Sequence, residues 1–303
     1  ELKSKYGRKA IVLCSSDVNL FFFIKYETHL SKYFSLPGDR KLSNFSAKLA
    51  DKSNVTKIFK KNLSHFNPIT DYISNLDEIS KLKRWDIFPC IIKPAEKDFT
   101  QSFYRENNSL KAIMCNDMSE LEKYTRQFLS KKHKLIIQEY LEFDSSTDEI
   151  PTYTYFDGNG NLRIYANGIK KIIFPEKFGT AIALELSYES ELIKYAEKVG
   201  KELEWFGPLM IEFVKDKKNF EYKILEINTR PWLFHNFYNQ CGLPFVKMFV
   251  ENILELNNDD FKINLPKQDV IGNCNIDLLN MAKLFNIEKK YSNLSKSKIT
   301  NKF

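Results

Sequence analysis

The 303-residue chain is 43% hydrophobic and 28% charged, the composition of a folded globular protein, and it is long enough for one large or two to three smaller lobes with sizeable cores. Its net charge of +7 and pI of about 8.9 raise nucleic-acid binding, but the lysine-dominated excess is spread along the chain, which fits a compositional origin or an anionic substrate such as a nucleotide. Cys14, Cys90, Cys115, Cys241 and Cys274 stand far apart without a C-x-x-C pair, against a disulfide scaffold or zinc site and in keeping with a reducing cytoplasm. Neither a run of about 18 apolar residues nor a signal-peptide pattern occurs, so a soluble cytoplasmic protein without a membrane span is expected. The opening Glu1-Leu2-Lys3, without Met, reads as the interior of a longer protein.

In chain order, KAIVLC at 9–14 reads as a short buried strand, followed by an apolar helix over 18–34. Phe21-Phe22-Phe23-Ile24 is the greasiest stretch, ended by Lys25 and Glu27, and reads as part of a buried helix. Pro37-Gly38-Asp39 breaks the chain before a helix over 46–62. A loop at 67–70 then leads into a short amphipathic helix over 73–82. FPCIIK at 88–93 is a strand with 110–114 as its partner. A helix over 117–129 follows, with Asp117 at the N-cap and Glu120 at the capping-box position. LIIQEYL at 135–141 is another strand.

Strand 152–156, the turn Asp157-Gly158-Asn159-Gly160 and strand 162–173 carry a strong hairpin signal. A helix over 188–203 precedes a second hairpin, 209–214 and 222–227, joined by a polar loop at 215–219. This order predicts an α+β, or mixed α/β, protein of more than one lobe, without internal repeats and with a polar tail after Lys262.

The second hairpin concentrates the chemistry. Glu212 sits between Ile211 and Phe213, and Glu226 between Leu225 and Ile227. A carboxylate buried among such neighbours is costly unless a cation or donors compensate it. Glu226, Asn228 and Arg230 alternate, which puts them on one strand face. Oxygen ligands from adjacent strands suit Mg²⁺, and Arg230 is then placed to grip an anionic reacting group. Taken singly, each residue fits a solvent-facing sheet charge; the set of four is what points to a site.

This Ile-Glu-Phe strand followed by a Glu-x-Asn-x-Arg strand resembles the ATP-grasp ligases, whose familiar members include biotin carboxylase and carbamoyl phosphate synthetase. The resemblance spans roughly residues 51–254. It implies an ATP-grasp fold, two α+β lobes clasping the nucleotide. By that match Glu212, Glu226 and Asn228 would be Mg²⁺ ligands, and Arg230 would contact the transferred phosphoryl or the substrate carboxylate. ATP and two Mg²⁺ ions, or Mn²⁺ in their place, are the implied cofactors. The implied division is residues 1–50 as the end of an N-terminal α/β domain, 51–140 as the small lobe, 141–260 as the large lobe with the metal site, and 261–303 as a polar extension.

Other positions match in the same order. Lys52, after Asp51, resembles the family's first nucleotide-contacting lysine, and Lys93 the lysine at a strand end that touches the phosphates; a surface lysine is the plain alternative for each. Gln138, Glu139, Tyr140 and Leu141 resemble the inter-lobe hinge, where backbone groups of 139 and 141 would read the adenine edge. Glu142 or Asp148 would take the ribose hydroxyls. Of the pair Lys170 and Lys171, Lys170 is favoured to face the γ-phosphate.

One departure concerns the segment 95–109, where many relatives carry a glycine-rich lid. Here it holds no glycine, and Gln101, Ser102 and Tyr104 would have to build another kind of lid.

The lid, the 174–180 segment and Asn-Thr-Arg-Pro-Trp at 228–232 together look most like carboxylate–amine ligases of the D-aspartate ligase type. That resemblance implies amide formation through an acyl phosphate, with small carboxylate and amine substrates and homodimerisation allowed. Substrate contacts would come from around Tyr153, Arg163, Trp232, His235 and Asn236. Two alternatives stay open: a nucleotide-binding or scaffold protein that kept the fold without turnover, and a nucleic-acid binder, the latter disfavoured by the dispersed charge.

Overall fold

The computed structural model of the chain describes residues 9–36, 38–39, 58–59, 63–95, 102–107, 112–145, 147–174, 180–255 and 271–273. Lys52, Gln101, all of the helix expected over 46–62 except 58–59, most of the lid segment and all of the tail except 271–273 lie outside the described residues.

Strand β1 (Ala10–Ile11) is shorter than KAIVLC suggests. Two helices, α1 (Asp17–Lys25) and α2 (Glu27–Leu30), follow where one was expected over 18–34. Ser16 starts α1 as N-cap, its hydroxyl accepting from the Asn19 N–H at 3.3 Å. Tyr26 ends α1 with its N–H turned to the carbonyls of Phe22 and Ile24. Beyond it, Phe34 is extended rather than helical. Its backbone joins β2 (Phe34–Ser35), parallel to β1, and its ring meets Phe23 edge-on at 5.5 Å. A third short strand, β3 (Gly38–Asp39), follows.

The chain divides into two compact units. One comprises Glu1–Ser46, Asp144–Val214 and Glu226–Phe303; the other comprises Ala47–Phe143 and Lys215–Leu225.

The second unit is built on a four-stranded antiparallel sheet in the order β4–β7–β5–β6, with strands Thr70–Ile73 (β4), Cys90–Pro94 (β5), Ile113–Cys115 (β6) and Leu135–Glu139 (β7). β4 follows directly on the loop expected at 67–70, of which it takes only Thr70, and it replaces the start of the helix expected at 73. Pairing of Thr70 with Gln138 and Ile73 with Leu135 secures it as a strand. The helix that follows is a 3₁₀ helix over Leu76–Arg84, capped by Asn75, whose side chain accepts from the N–H groups of Asp77 and Glu78.

A short helix α3 (Ser102–Glu106) and α4 (Met118–Ser130) complete this unit. Asp117 caps α4 by accepting the Glu120 N–H at 2.9 Å, while Glu120 accepts the N–H of Asn116, one residue upstream of the capping-box donor. Leu121 and Phe128 of α4 pack with Ile73, Leu82, Trp85, Ile92 and Phe103 in the unit's core. At about 1.5–3 kcal/mol per fully buried large apolar side chain, this cluster is a main source of the unit's stability.

The larger sheet runs β12–β11–β8–β9–β10–β13, with β3 also pairing with β11. Its strands are Glu149–Phe156 (β8), Leu162–Phe174 (β9), Thr180–Ser187 (β10), Trp205–Lys215 (β11), Tyr222–Asn228 (β12) and Ile271–Asn273 (β13). The β8–β9 turn is organised by Asp157, whose Oδ1 accepts the N–H groups of Asn159 and Asn161, both at 2.9 Å. β10 had no assignment from sequence. Its Ala-Leu-Glu composition is poor in strand formers, and antiparallel pairing with β9 and β13 on its two sides holds it extended.

Helix α5 (Ser190–Glu202) buries Leu192, Ala196 and Val199. Its Gly200 lets Phe156 approach so closely that a Cβ there would lie 2.0 Å from the ring. Two further helices, α6 (His235–Gln240) and α7 (Phe245–Ile253), add Tyr238, Phe245 and Phe249 to an aromatic core with Tyr153, Tyr155 and Trp232. Among the described residues no helix is long and apolar enough to cross a membrane.

Candidate functional site

β11 and β12 are neighbouring strands whose connecting turn is closed by the Asp216 N–H bonding to the Glu221 carbonyl at 2.9 Å. Their apolar residues, Ile211, Phe213, Ile224 and Ile227, are buried, and Glu212, on the opposite strand face from Ile211 and Phe213, is itself largely covered. β9 supplies the compensating cation: Lys170, 5% exposed, donates to Glu212 Oε1 at 2.6 Å and also to Glu149 Oε1 at the start of β8. Burial alone would lower the Lys170 pKa, but the charges of Glu212 and Glu149 outweigh it and hold the ammonium firmly protonated.

The carboxylates respond in opposite directions. Desolvation and the Glu212 charge push Glu149 up, to about 7, against the pull of Lys170. Glu212 is also penalised by burial, yet the Lys170 charge overrides this and the repulsion from Glu226, holding it below the usual range. We assign the first proton of this coupled trio to Glu149 because Lys170 is the dominant stabiliser of charge on Glu212.

Of the residues singled out by sequence, Lys170, Glu212 and Glu226 therefore lie within electrostatic reach of one another. Asn228 is 7% exposed at the end of β12. Lys171 does not join them: successive residues of a strand face opposite ways, and Lys171 pairs with Glu185 of β10 at 2.5 Å. Arg230 lies beyond the end of β12, so strict alternation does not carry the face on to it. Its guanidinium forms a fork with Asp17, Nε to Oδ1 at 2.7 Å and Nη2 to Oδ2 at 3.0 Å. Burial opposes its positive charge, but Asp17 and then Glu226 and Cys14 raise its pKa overall.

Within the other unit, Lys93 donates to Gln138 Oε1 at 2.7 Å. The Gln138 amide nitrogen donates to Thr70 Oγ1 at 3.0 Å, and the Thr70 hydroxyl to the Pro68 carbonyl at 2.7 Å. This directed chain fixes which end of the Gln138 amide faces Lys93. The Glu139 N–H donates to the Ile69 carbonyl at 2.9 Å, and its carboxylate accepts the Ile69 N–H at 2.8 Å. The Glu139 N–H and carboxylate are therefore both taken up by Ile69. Tyr140 donates its N–H to the Pro89 carbonyl, and Leu141 is buried. Glu142 binds the hairpin tip, its N–H donating to Asp216 Oδ1 and its carbonyl accepting the Lys217 N–H.

Among the residues expected around the substrate, several have partners within the protein. Tyr153 and Trp232 stack at 4.3 Å within the aromatic core and are 3% and 4% exposed. Arg163 pairs with Asp157 at 3.6 Å, and His235 Nδ1 lies 3.0 Å from the Trp232 carbonyl oxygen. Conversely, Glu149 and Asp17 drew no attention in sequence. Glu149 heads a strand as many surface acids do, and Asp17 reads as an ordinary first-turn acid after the Ser16 cap.

Among the described residues, no group of three or more His, Cys, Asp or Glu side chains stands in metal-holding geometry. Glu212, Glu226 and Asn228 are nevertheless hard oxygen donors, and the single charge of Lys170 is shared between Glu149 and Glu212 while Glu226 still repels Glu212. The residues fit Mg²⁺ on that chemistry.

No family model matches the sequence, and no curated protein matches it. Solved structures do match. An N5-carboxyaminoimidazole ribonucleotide synthetase in its ADP complex superposes with a TM-score of 0.59 at 15% identity, over 85% of this chain and 68% of that one. An L-amino acid ligase from Bacillus licheniformis gives 0.63 at 16% identity, over 89% of this chain and 62% of its own. A biotin carboxylase from Campylobacter jejuni, complexed with β-γ-ATP, gives 0.62 at 14% identity, over 89% of this chain and 59% of its own. This chain thus spans less than two thirds of the length of the latter two. With its antiparallel sheets and flanking helices superposing on these structures, the chain has the ATP-grasp fold.

Proposed function

We propose that the protein is an ATP- and Mg²⁺-dependent ligase that joins a carboxylic acid to an amine through an acyl phosphate. The observation that carries this reading is the buried cluster on the larger sheet, where Glu212 is neutralised by Lys170 and repelled by Glu226. Such an arrangement is costly to keep in a core without a use for concentrated charge. The neighbour from Bacillus licheniformis is an L-amino acid ligase, which makes amino acids the first substrates to test.

In this reading Glu212, Glu226 and Asn228 would hold Mg²⁺, which when bound would neutralise phosphate charge. Lys170 would steady the γ-phosphoryl group as it transfers, and Arg230 would hold the anionic oxygens of the acid. Lys171, paired away from this cluster, is given no part. Lys93 and the 138–141 strand end would contribute phosphate and base contacts, with Lys52 proposed for the same role from sequence alone. A carboxylate oxygen of the acid attacks the γ-phosphorus and ADP departs. The amine then attacks the acyl carbon, inorganic phosphate leaves, and the amine loses its proton. Catalysis rests on positioning and charge stabilisation rather than on a protein nucleophile.

A second reading, nucleotide binding without turnover, draws on the fact that Arg230 is already forked to Asp17 and Lys170 to two glutamates. ADP release measured across a matrix of amino acids, small peptides and other carboxylates separates the two. The ligase reading expects release that requires both an acid and an amine, and its loss in Glu226→Gln with the fold retained. Wild-type-like ADP production by Glu226→Gln would remove the assignment.

A further inference from the structure

Arg230 has five N–H donors in a planar fork. Asp17 takes the Nε–H and one Nη2–H in a bidentate pair at 2.7 and 3.0 Å, and the Pro231 carbonyl accepts from Nη1 at 3.3 Å. The pair is partly sheltered, with side chains 20% and 26% exposed. Asp17 is itself fixed: it opens α1 directly after the Ser16 cap. The bidentate geometry sets the plane of the guanidinium as well as its position, and it leaves the Nη1/Nη2 edge, whose two N–H groups point the same way, outside the Asp17 pair. Those two donors match the spacing of two oxygens of one carboxylate or phosphoryl group.

We infer that Asp17 is a positioning residue that locks the Arg230 guanidinium so that its Nη edge, and not its Nε edge, meets the anionic oxygens of the substrate acid. This rests on the proposed role of Arg230 in gripping that acid. It also makes the segment before β2 part of the working site, although no sequence motif marks it.

The test uses the isosteric variant Asp17→Asn in the full chain. Its kcat/KM for the acid should fall about 10- to 100-fold, as expected when a gripping group is displaced by about an ångström, while the Kd for a fluorescent ATP analogue stays within about twofold. Because Asp17 acts through Arg230, the same change made in an Arg230→Lys background should cost less than about threefold. Asp117→Ala, which removes the cap of α4 and leaves both α1 and the fork untouched, should lower Tm and leave kcat/KM unchanged, separating helix stability from positioning.

A readout independent of turnover is the rate of Arg230 modification by phenylglyoxal, followed by mass spectrometry; Asp17→Asn should raise it about tenfold by freeing the guanidinium. The inference is overturned by unchanged kcat/KM in Asp17→Asn, by equal losses in both backgrounds, or by equal phenylglyoxal rates. If no acid and amine release ADP from the wild type, the proposed function falls. The phenylglyoxal rates then still decide whether Asp17 holds Arg230.

Discussion

Replacing Lys170 by Met keeps most of the side-chain volume but removes the one ammonium bonded to both Glu149 and Glu212. Breaking a buried ion pair by deleting one partner costs about 3–5 kcal/mol, because the remaining charge is left uncompensated. Here the low end applies, since Glu149 already titrates at about 7 and can take up a proton. A loss of about 3 kcal/mol corresponds to a fall in Tm of roughly 6–12 °C for a cooperative unit of this size.

The pH dependence has a definite sign. Glu149 has a folded pKa raised above its ordinary value of 4.5, so the folded state binds more protons than the unfolded state between about 4.5 and 7, and this group's contribution to stability is lost as pH rises through that window. Without Lys170 the repulsion between Glu149 and Glu212 grows, so the variant's deficit should be larger at pH 8 than at pH 6. Thermal unfolding followed by circular dichroism at both pH values measures this. A Lys170→Met protein melting within about 2 °C of wild type at pH 8, well short of that shift, would refute the electrostatic account of the cluster.

Gly200→Ala places a Cβ 2.0 Å from the Phe156 ring, too close to be absorbed without moving α5 or the ring. It should cost about 1–3 kcal/mol, read as a lowered urea midpoint. Lys93→Met removes the cation at the end of the Gln138–Thr70 chain and should weaken binding of a fluorescent ATP analogue about tenfold or more, with Tm little changed. Burial raises the Cys14 and Cys241 thiols to about 11, so both should resist alkylation at pH 8 in the folded protein and react promptly in urea.

The part of the candidate site that was legible in sequence is the part written locally. Glu212 and Glu226 stand out because each interrupts an apolar strand, and strand periodicity separates the environments of Lys170 and Lys171 once both are known to lie on one strand. The pairing of Arg230 with Asp17 joins residues 213 positions apart, and nothing in either neighbourhood encodes it. Glu149 becomes conspicuous only when β8, β9 and β11 lie side by side. The same limit governs the fold. The Asp157 turn and its hairpin are specified by their own residues, whereas β4 owes its extended form to its pairing with β7, and β10 to β9 and β13 on its two sides. Tyr153 and Trp232 were expected near the substrate, and their stacking within the aromatic core depends on contacts that neither local sequence shows.

In the proposed reaction a carboxylate of the substrate is phosphorylated before the amine attacks. Incubating the protein with ATP, Mg²⁺, amines and a pool of ¹⁸O-carboxyl-labelled amino acids and small acids tests it directly, with the released phosphate analysed by mass spectrometry. The account predicts inorganic phosphate carrying one ¹⁸O atom, transferred from the acid as the amide forms. Unlabelled phosphate accompanying ADP, or ATP bound with no phosphate released, would contradict it.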